Sequence, residues 1–203
     1  MRVENVRVYD LDESIKASKY PMSVDVDSLS GNVTPTVIGL ASSPKGMGHD
    51  QFLTGIRVAL DLTCSNKMWV EMERYRFVEF VSSQSTMHRI TKFRLRDQCN
   101  GYVLRSTVET LEAMIEYYNN LTDEEKSSDM GVDLYLKILY NVPMGLELTA
   151  RLTTNYRALK TVYAQRKTHR LPEWREFCKW IESLPYFKEF ISDEKRRDLA
   201  CRS

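Results

Sequence analysis

Apolar and polar residues alternate most regularly between Thr54 and Thr63. Ile56, Val58, Leu60 and Leu62 fall on one face there, and Arg57, Ala59, Asp61 and Thr63 on the other. A period of two is the pattern of a half-buried strand, so 54–63 is predicted as one. Val6 to Tyr9 is a shorter strand candidate. The rest of the first 45 or so residues, through Ala41-Ser42-Ser43-Pro44-Lys45-Gly46, is rich in Ser, Pro and Gly and reads as surface loops.

After Ser65 and Asn66, which suit a helix N-terminus, Met68, Met72 and Tyr75 and then Phe77 and Val81 recur at helical spacing. This predicts a helix over 67–80 that ends between Tyr75 and Val81. Ser106 and Glu109 have the spacing of a capping box, opening a helix whose apolar stripe is Val108, Leu111, Met114, Ile115 and Tyr118. Leu121 to Gly131 is a polar connection, with Asp123, Glu124 and Glu125 as a solvated acidic helix start. From Leu146 to Arg166 neither Gly nor Pro interrupts the chain, and Leu148, Leu152, Leu159 and Val162 keep one face apolar. The span 146–166 is therefore predicted as the longest helix, on the order of 30 Å. Pro172 suits the first turn of a further helix that buries Trp174, Phe177, Cys178 and Ile181 and stops at Leu184-Pro185. The charged run 192–203 is expected to fray. The expectation is one α/β domain over 1–203, a mixed or antiparallel sheet packed against long helices.

Composition narrows the function. Lys plus Arg is 29 against 28 for Asp plus Glu, a net charge of +1 that gives no electrostatic reason to expect nucleic acid or an anionic membrane as partner. Any phosphate bound should be small and met by a few local arginines. No eighteen apolar residues run together, and MRVENVRVYDLDESIK lacks a basic region leading into an apolar stretch, so a cytoplasmic protein is expected. Cys64, Cys99, Cys178 and Cys201 show no C-x-x-C spacing. They read as reduced thiols, and no metal site is expected.

Several side chains could carry chemistry. An arginine offers a planar fork of donors suited to phosphate, and several converging on one cleft can hold a nucleotide or a pyrophosphate. Arg74 and Arg76 would lie about 200° apart on a continuing helix, so the helix should end or distort there. On a 146–166 helix Asn155 and Arg166 would share a face roughly 16 Å apart, with Arg157 pointing away. Ser82 to Thr86 alone reads as a hydroxyl-rich loop, and His88 beside it as a polar surface residue or a base. Trp174, Phe177 and Trp180 suit core or oligomer packing better than a stacking platform.

The chain resembles the flavin-dependent thymidylate synthases. The residues that carry the resemblance are Gly48-His49 before the strand, the apolar helix around Trp69, Arg74-Tyr75-Arg76, and Ser82-Ser83-Gln84-Ser85 followed by Arg89. Pro143, Thr154-Asn155-Tyr156-Arg157 and Arg166 form a second block in the expected order. The likeness covers 48–182 and leaves 1–47 unassigned. Where the family has His, Ser, Gln and an upstream Arg, this chain has Tyr75, Glu79, Glu71 and Leu139, with Lys137 close by, and Arg89 comes four residues after Ser85 instead of two.

The resemblance implies an FAD-dependent nucleotide methyltransferase that converts dUMP to dTMP with methylenetetrahydrofolate and NADPH as co-substrates. Arg166 and Ser85 would be catalytic. Glu71, Arg74, Ser85, Arg89 and Arg166 would bind the nucleotide. His49, Arg74, Tyr75, Arg76, Asn155, Arg157 and His169 would bind the flavin, although His49 equally suits a turn cap. A homotetramer with sites shared between subunits is also implied. Two other readings fit the same residues: a non-catalytic nucleotide-binding protein on this scaffold, and a related pyrimidine nucleotide one-carbon transferase.

Overall fold

The computed structural model describes residues 1–44 and 46–191; the expected frayed tail 192–203 and the thiol of Cys201 lie outside them. Four strands, β1 (Arg2–Tyr9), β2 (Arg57–Ser65), β3 (Glu79–Ser83) and β4 (Glu147–Asn155), form one antiparallel sheet in the order β1-β2-β4-β3. The α/β class and the sheet are as expected. The described chain groups into two compact units whose boundaries fall inside the strands.

One unit comprises Met1–Arg2, Leu62–Arg74 and Val81–Arg151. Its part of β2 runs against β4: the Asn66 N–H donates to Leu146 O at 2.9 Å, and the Thr63 and Thr149 hydroxyls meet at 2.7 Å. Helix α3 (Asn66–Met72) starts on Ser65, whose hydroxyl accepts from the Met68 N–H at 3.3 Å. The predicted helix over 67–80 is thus corrected to 66–72. Downstream of it Val78, Phe80 and Val81 favour an extended backbone. Phe77, at a left-handed φ of 65°, turns the chain into β3, an exposed strand at the sheet edge.

In the same unit follow α4 (Thr86–Arg89), α5 (Leu95–Gln98), α6 (Arg105–Asn120), α7 (Asp123–Ser127) and α8 (Asp129–Tyr140). Helix α6 begins one residue before the predicted cap. Leu104 is its N-cap, Ser106 lies in the first turn, and the Glu109 carboxylate accepts from Arg105 Nε at 2.7 Å instead of closing a capping box. A capping box does form at Thr122 and Glu125, inside the span read as a connection. Helix α8 has no counterpart in the sequence reading, because it buries only Gly131 and Ile138, too few for a visible stripe.

The other unit comprises Val3–Asp61, Tyr75–Phe80 and the chain from Leu152 onward. It contains two short helices where loops were predicted, α1 (Leu11–Ala17) and α2 (Pro35–Ala41). The Thr34 hydroxyl caps α2 by accepting from the Val37 N–H at 3.3 Å. Ile15, Val37, Leu60, Tyr156, Trp174 and Phe177 are its fully buried centre. Burying one such aromatic side chain is worth about 1.5–3 kcal/mol.

The predicted helix over 146–166 is corrected to a strand and a shorter helix, β4 followed by α9 (Tyr156–Arg166), and α6 with 16 residues is the longest described helix. In β4 Leu148, Ala150, Leu152 and Thr154 are buried while their neighbours are half-buried or exposed, a period of two. Thr149, Thr153 and Thr154 are β-branched and reinforce the strand. The helical period begins only after Asn155. Helix α10 (Pro172–Glu182) buries Trp174, Phe177, Cys178 and Ile181 as predicted, and α11 (Phe187–Ile191) follows.

Candidate functional site

Asn155 is the N-cap of α9, its Oδ1 accepting from the Ala158 N–H at 2.9 Å. The shared helix face expected for Asn155 and Arg166 therefore does not exist. Arg157, in the first turn, donates from Nε to Asp50 Oδ1 at 3.1 Å and from Nη1 to Gln51 Oε1 at 2.6 Å. One turn on, Lys160 Nζ donates to Asp50 Oδ2 at 2.8 Å, to Ala41 O at 2.6 Å and to Ser43 O at 2.9 Å. Asp50 is only 3% exposed, so its charge is compensated by two cations rather than by water. This cluster ties Ala41, Ser43, Asp50 and Gln51 to α9. His49, the residue before Asp50, is itself exposed.

The last turn of α9 carries a different arrangement. Arg166, half-buried, donates from Nε to Tyr75 Oη at 2.7 Å, and Tyr75 in turn donates to Gln165 Oε1 at 3.0 Å. The Arg166 guanidinium carbon lies 4.7 Å from the centroid of the Trp174 ring and 5.5 Å from that of Tyr75. The two rings meet edge to face at 5.8 Å. His169, predicted near the flavin, stands edge-on to Trp174 at 6.3 Å, and its Nδ1 accepts from the Leu171 N–H at 3.2 Å. Trp174 is thus both core and the shelf under an arginine, a second role its apolar spacing does not announce. Arg76 is exposed, with its guanidinium carbon 5.8 Å from the Phe77 ring centroid.

Two ionisable groups beside this cluster are held neutral. Burial, with help from Glu182, pushes the Cys178 thiol up to about 11 against the opposing pull of Arg166 and Lys167. It is no nucleophile at neutral pH. Burial, and then the hydrogen bond it donates to Glu182 at 2.6 Å, push the Tyr163 hydroxyl up to about 12.

The same unit holds a cavity of about 550 Å³, lined among others by Tyr9, Arg57, Phe77, Glu79, Thr154 and Asn155. Arg57 pairs with Asp10, another lining residue, at 2.9 Å. Thr154 Oγ1 is buried without a hydrogen-bond partner among the described residues, and a buried orphan hydroxyl is costly unless something meets it. Of the lining residues, only Asn155 was singled out as a ligand-binding side chain from the sequence.

The remaining predicted residues belong to the first unit. Glu71 is half-buried and paired with Lys67 at 3.5 Å. Arg74 is exposed in the turn after α3, which ends at Met72, short of both arginines and earlier than the spacing predicts. Ser85 precedes α4 and Arg89 is its last residue; His88 beside it is exposed, as is Arg89. The approach to α4 is fixed by Gln84, whose backbone N–H donates to Thr149 O and whose Oε1 accepts from the Thr149 N–H, both at 2.9 Å. Among the described residues no His, Cys, Asp and Glu cluster forms a metal site, and no helix is long and apolar enough to cross a membrane.

No protein-family model and no curated protein matches the sequence. Solved structures do. Over 96% of this chain and 99% of the other, the protein superposes with a TM-score of 0.68 on the flavin-dependent thymidylate synthase ThyX from Helicobacter pylori complexed with FAD and dUMP, at 14% identity. The fold is that of the flavin-dependent thymidylate synthases. A second structure of that enzyme with FAD and dUMP gives a TM-score of 0.66 at 14% identity, covering 96% and 98% of the two chains. The thymidylate synthase fold therefore extends into the first 47 residues, beyond the 48–182 span recognised in the sequence. That identity carries the fold and does not carry individual residue roles.

Proposed function

We propose that the protein is a flavin-dependent thymidylate synthase-like enzyme that methylates dUMP to dTMP with FAD, methylenetetrahydrofolate and NADPH. The observation that supports this best is the 550 Å³ cavity beside Asn155, in a chain whose fold is shared over nearly its whole length with an enzyme complexed with FAD and dUMP. The cavity fits the uncharged part of a flavin. Hydroxyls from Tyr9, Thr54, Thr153 and Thr154 and the amide of Asn155 suit the edges of a heterocycle, and Tyr9 and Phe77 are exposed rings for its faces. Arg57 against Asp10 and Glu79 leaves the lining slightly acidic, so the pyrophosphate belongs with the exposed Arg76 of the same unit.

Bound FAD supplies the hydride chemistry of the reaction. The chain's own part is to hold and polarise. Arg166 meets negative charge developing on the pyrimidine, its guanidinium held by Tyr75 Oη and the Trp174 face. Ser85 and Arg89, in the other unit, are proposed nucleotide ligands of a site shared between subunits, and Glu71 there is placed by Lys67. Arg157 serves the fold through Asp50. A homo-oligomer is supported by α8, where Val132, Leu136 and Tyr140, four residues apart, are exposed on one helix face. Light scattering should find the oligomer, and a strict monomer at micromolar concentration would remove shared sites.

The non-catalytic nucleotide-binding reading is favoured by one observation: Arg157, a predicted flavin ligand, is engaged by Asp50 and Gln51. The visible absorbance spectrum of the protein incubated with FAD and then freed of excess separates the two. A retained yellow flavin band, bleached by NADPH, and dTMP formation from dUMP are expected. A colourless protein that still binds dUMP would overturn the enzymatic reading.

A further inference from the structure

We propose that Tyr75 is a positioning residue for Arg166, so that its side chain serves the nucleotide through the arginine instead of touching the flavin; this rests on the reading of Arg166 as a uridine-nucleotide ligand. The geometry gives the phenol one hydrogen-bond direction. Its oxygen accepts from Arg166 Nε at 2.7 Å and its proton goes to Gln165 Oε1 at 3.0 Å, so the hydroxyl is used once as acceptor and once as donor. A carboxamide oxygen accepts and a guanidinium donates, which fixes the order Arg166, Tyr75, Gln165 without any titration.

Trp174 adds to the hold. An arginine is a planar cation on a flexible stem, and ordering it costs rotamer entropy. A hydrogen bond at Nε fixes rotation within the plane, and the indole face 4.7 Å away fixes the tilt of the plane. Trp174 is fully buried and cannot move aside, whereas Tyr75 is half-buried and its ring packs edge-on against that indole. Fixing a charge where it is needed is how an active site avoids reorganisation during reaction. Phe at position 75 would keep the ring contact and delete only the hydrogen bonds, so the proposal isolates one oxygen atom.

The experiment compares wild type, Y75F, R166A and the double variant by calorimetric titration with dUMP, alongside FAD binding by flavin fluorescence. Y75F should weaken dUMP about fivefold to tenfold and leave FAD affinity unchanged, and the loss should vanish in the R166A background, because the hydroxyl then has no arginine to hold. Unchanged dUMP affinity in Y75F, a weaker FAD complex, or an equal loss with and without Arg166 would overturn the proposal. If wild type binds no dUMP, the functional reading fails by itself. The positioning claim is then read from the nitrogen-15 signal of Arg166 Nε–H, assigned by its absence in R166A. Slow exchange with water in wild type that becomes fast in Y75F supports the hold, and fast exchange in both overturns it.

Discussion

Helix α9 carries an arginine at each end, and the two are held in opposite ways. Arg157 faces a carboxylate that is 3% exposed and shared with Lys160, whose ammonium also takes two backbone carbonyls. Arg166 rests on aromatic faces and gives its Nε–H to a neutral hydroxyl. The first arrangement stabilises the chain only as a complete set, since a buried charge is tolerable only while its partners stay. The second places a cation against two aromatic rings and a phenol oxygen. One helix thus has its first turn in a buried ion-pair cluster and its last turn against aromatic rings, the end to which we assign the nucleotide.

The contrast can be broken most forcefully at Asp50. Replacing it by alanine leaves Arg157 and Lys160 facing one another without a carboxylate and should cost about 3 kcal/mol of stability, read from the urea midpoint at constant slope. A change below about 0.5 kcal/mol would show that the cluster is a surface pair of little weight. A smaller effect is expected at the cap both ends depend on. N155A removes the acceptor for the Ala158 N–H and should cost about 1 kcal/mol.

The smallest effect is a pH dependence. The Tyr163 hydroxyl, pushed up to about 12 by burial and Glu182, stays protonated in the folded chain above the pH where it ionises in the unfolded one. Its contribution is therefore fully present below about pH 10 and is lost as pH rises through about 12. Y163F should lose less stability than wild type across that window. Parallel curves would remove the Tyr163–Glu182 bond from the account.

Which parts of this were legible in the sequence follows from how local each signal is. Strand β2 was visible because Ile56, Val58, Leu60 and Leu62 satisfy a period of two and nothing else, and α10 because Pro172 marks its start. Strand β4 was hidden because Leu148 and Leu152 fit a helix spacing of four as well as a strand spacing of two, and the missing Gly and Pro permit either. The helix over 67–80 was overextended because Phe77 and Val81 are equally good strand residues. In the site, Arg166, Tyr75 and Asn155 were reached through a family resemblance. The Lys160–Asp50 contact joins residues 110 apart and leaves no local pattern. The basic pair Arg157 and Lys160, three apart on an otherwise apolar-faced helix, was the only available hint.

The division of labour along α9 is tested most directly by titrating dUMP calorimetrically into wild type, R157A and R166A, each at a temperature where its circular dichroism shows it folded. The account predicts a tenfold to hundredfold loss, or about that order, for R166A, and wild-type affinity with a lowered melting temperature for R157A. Unchanged affinity in R166A, or equal losses in the two variants, would contradict it.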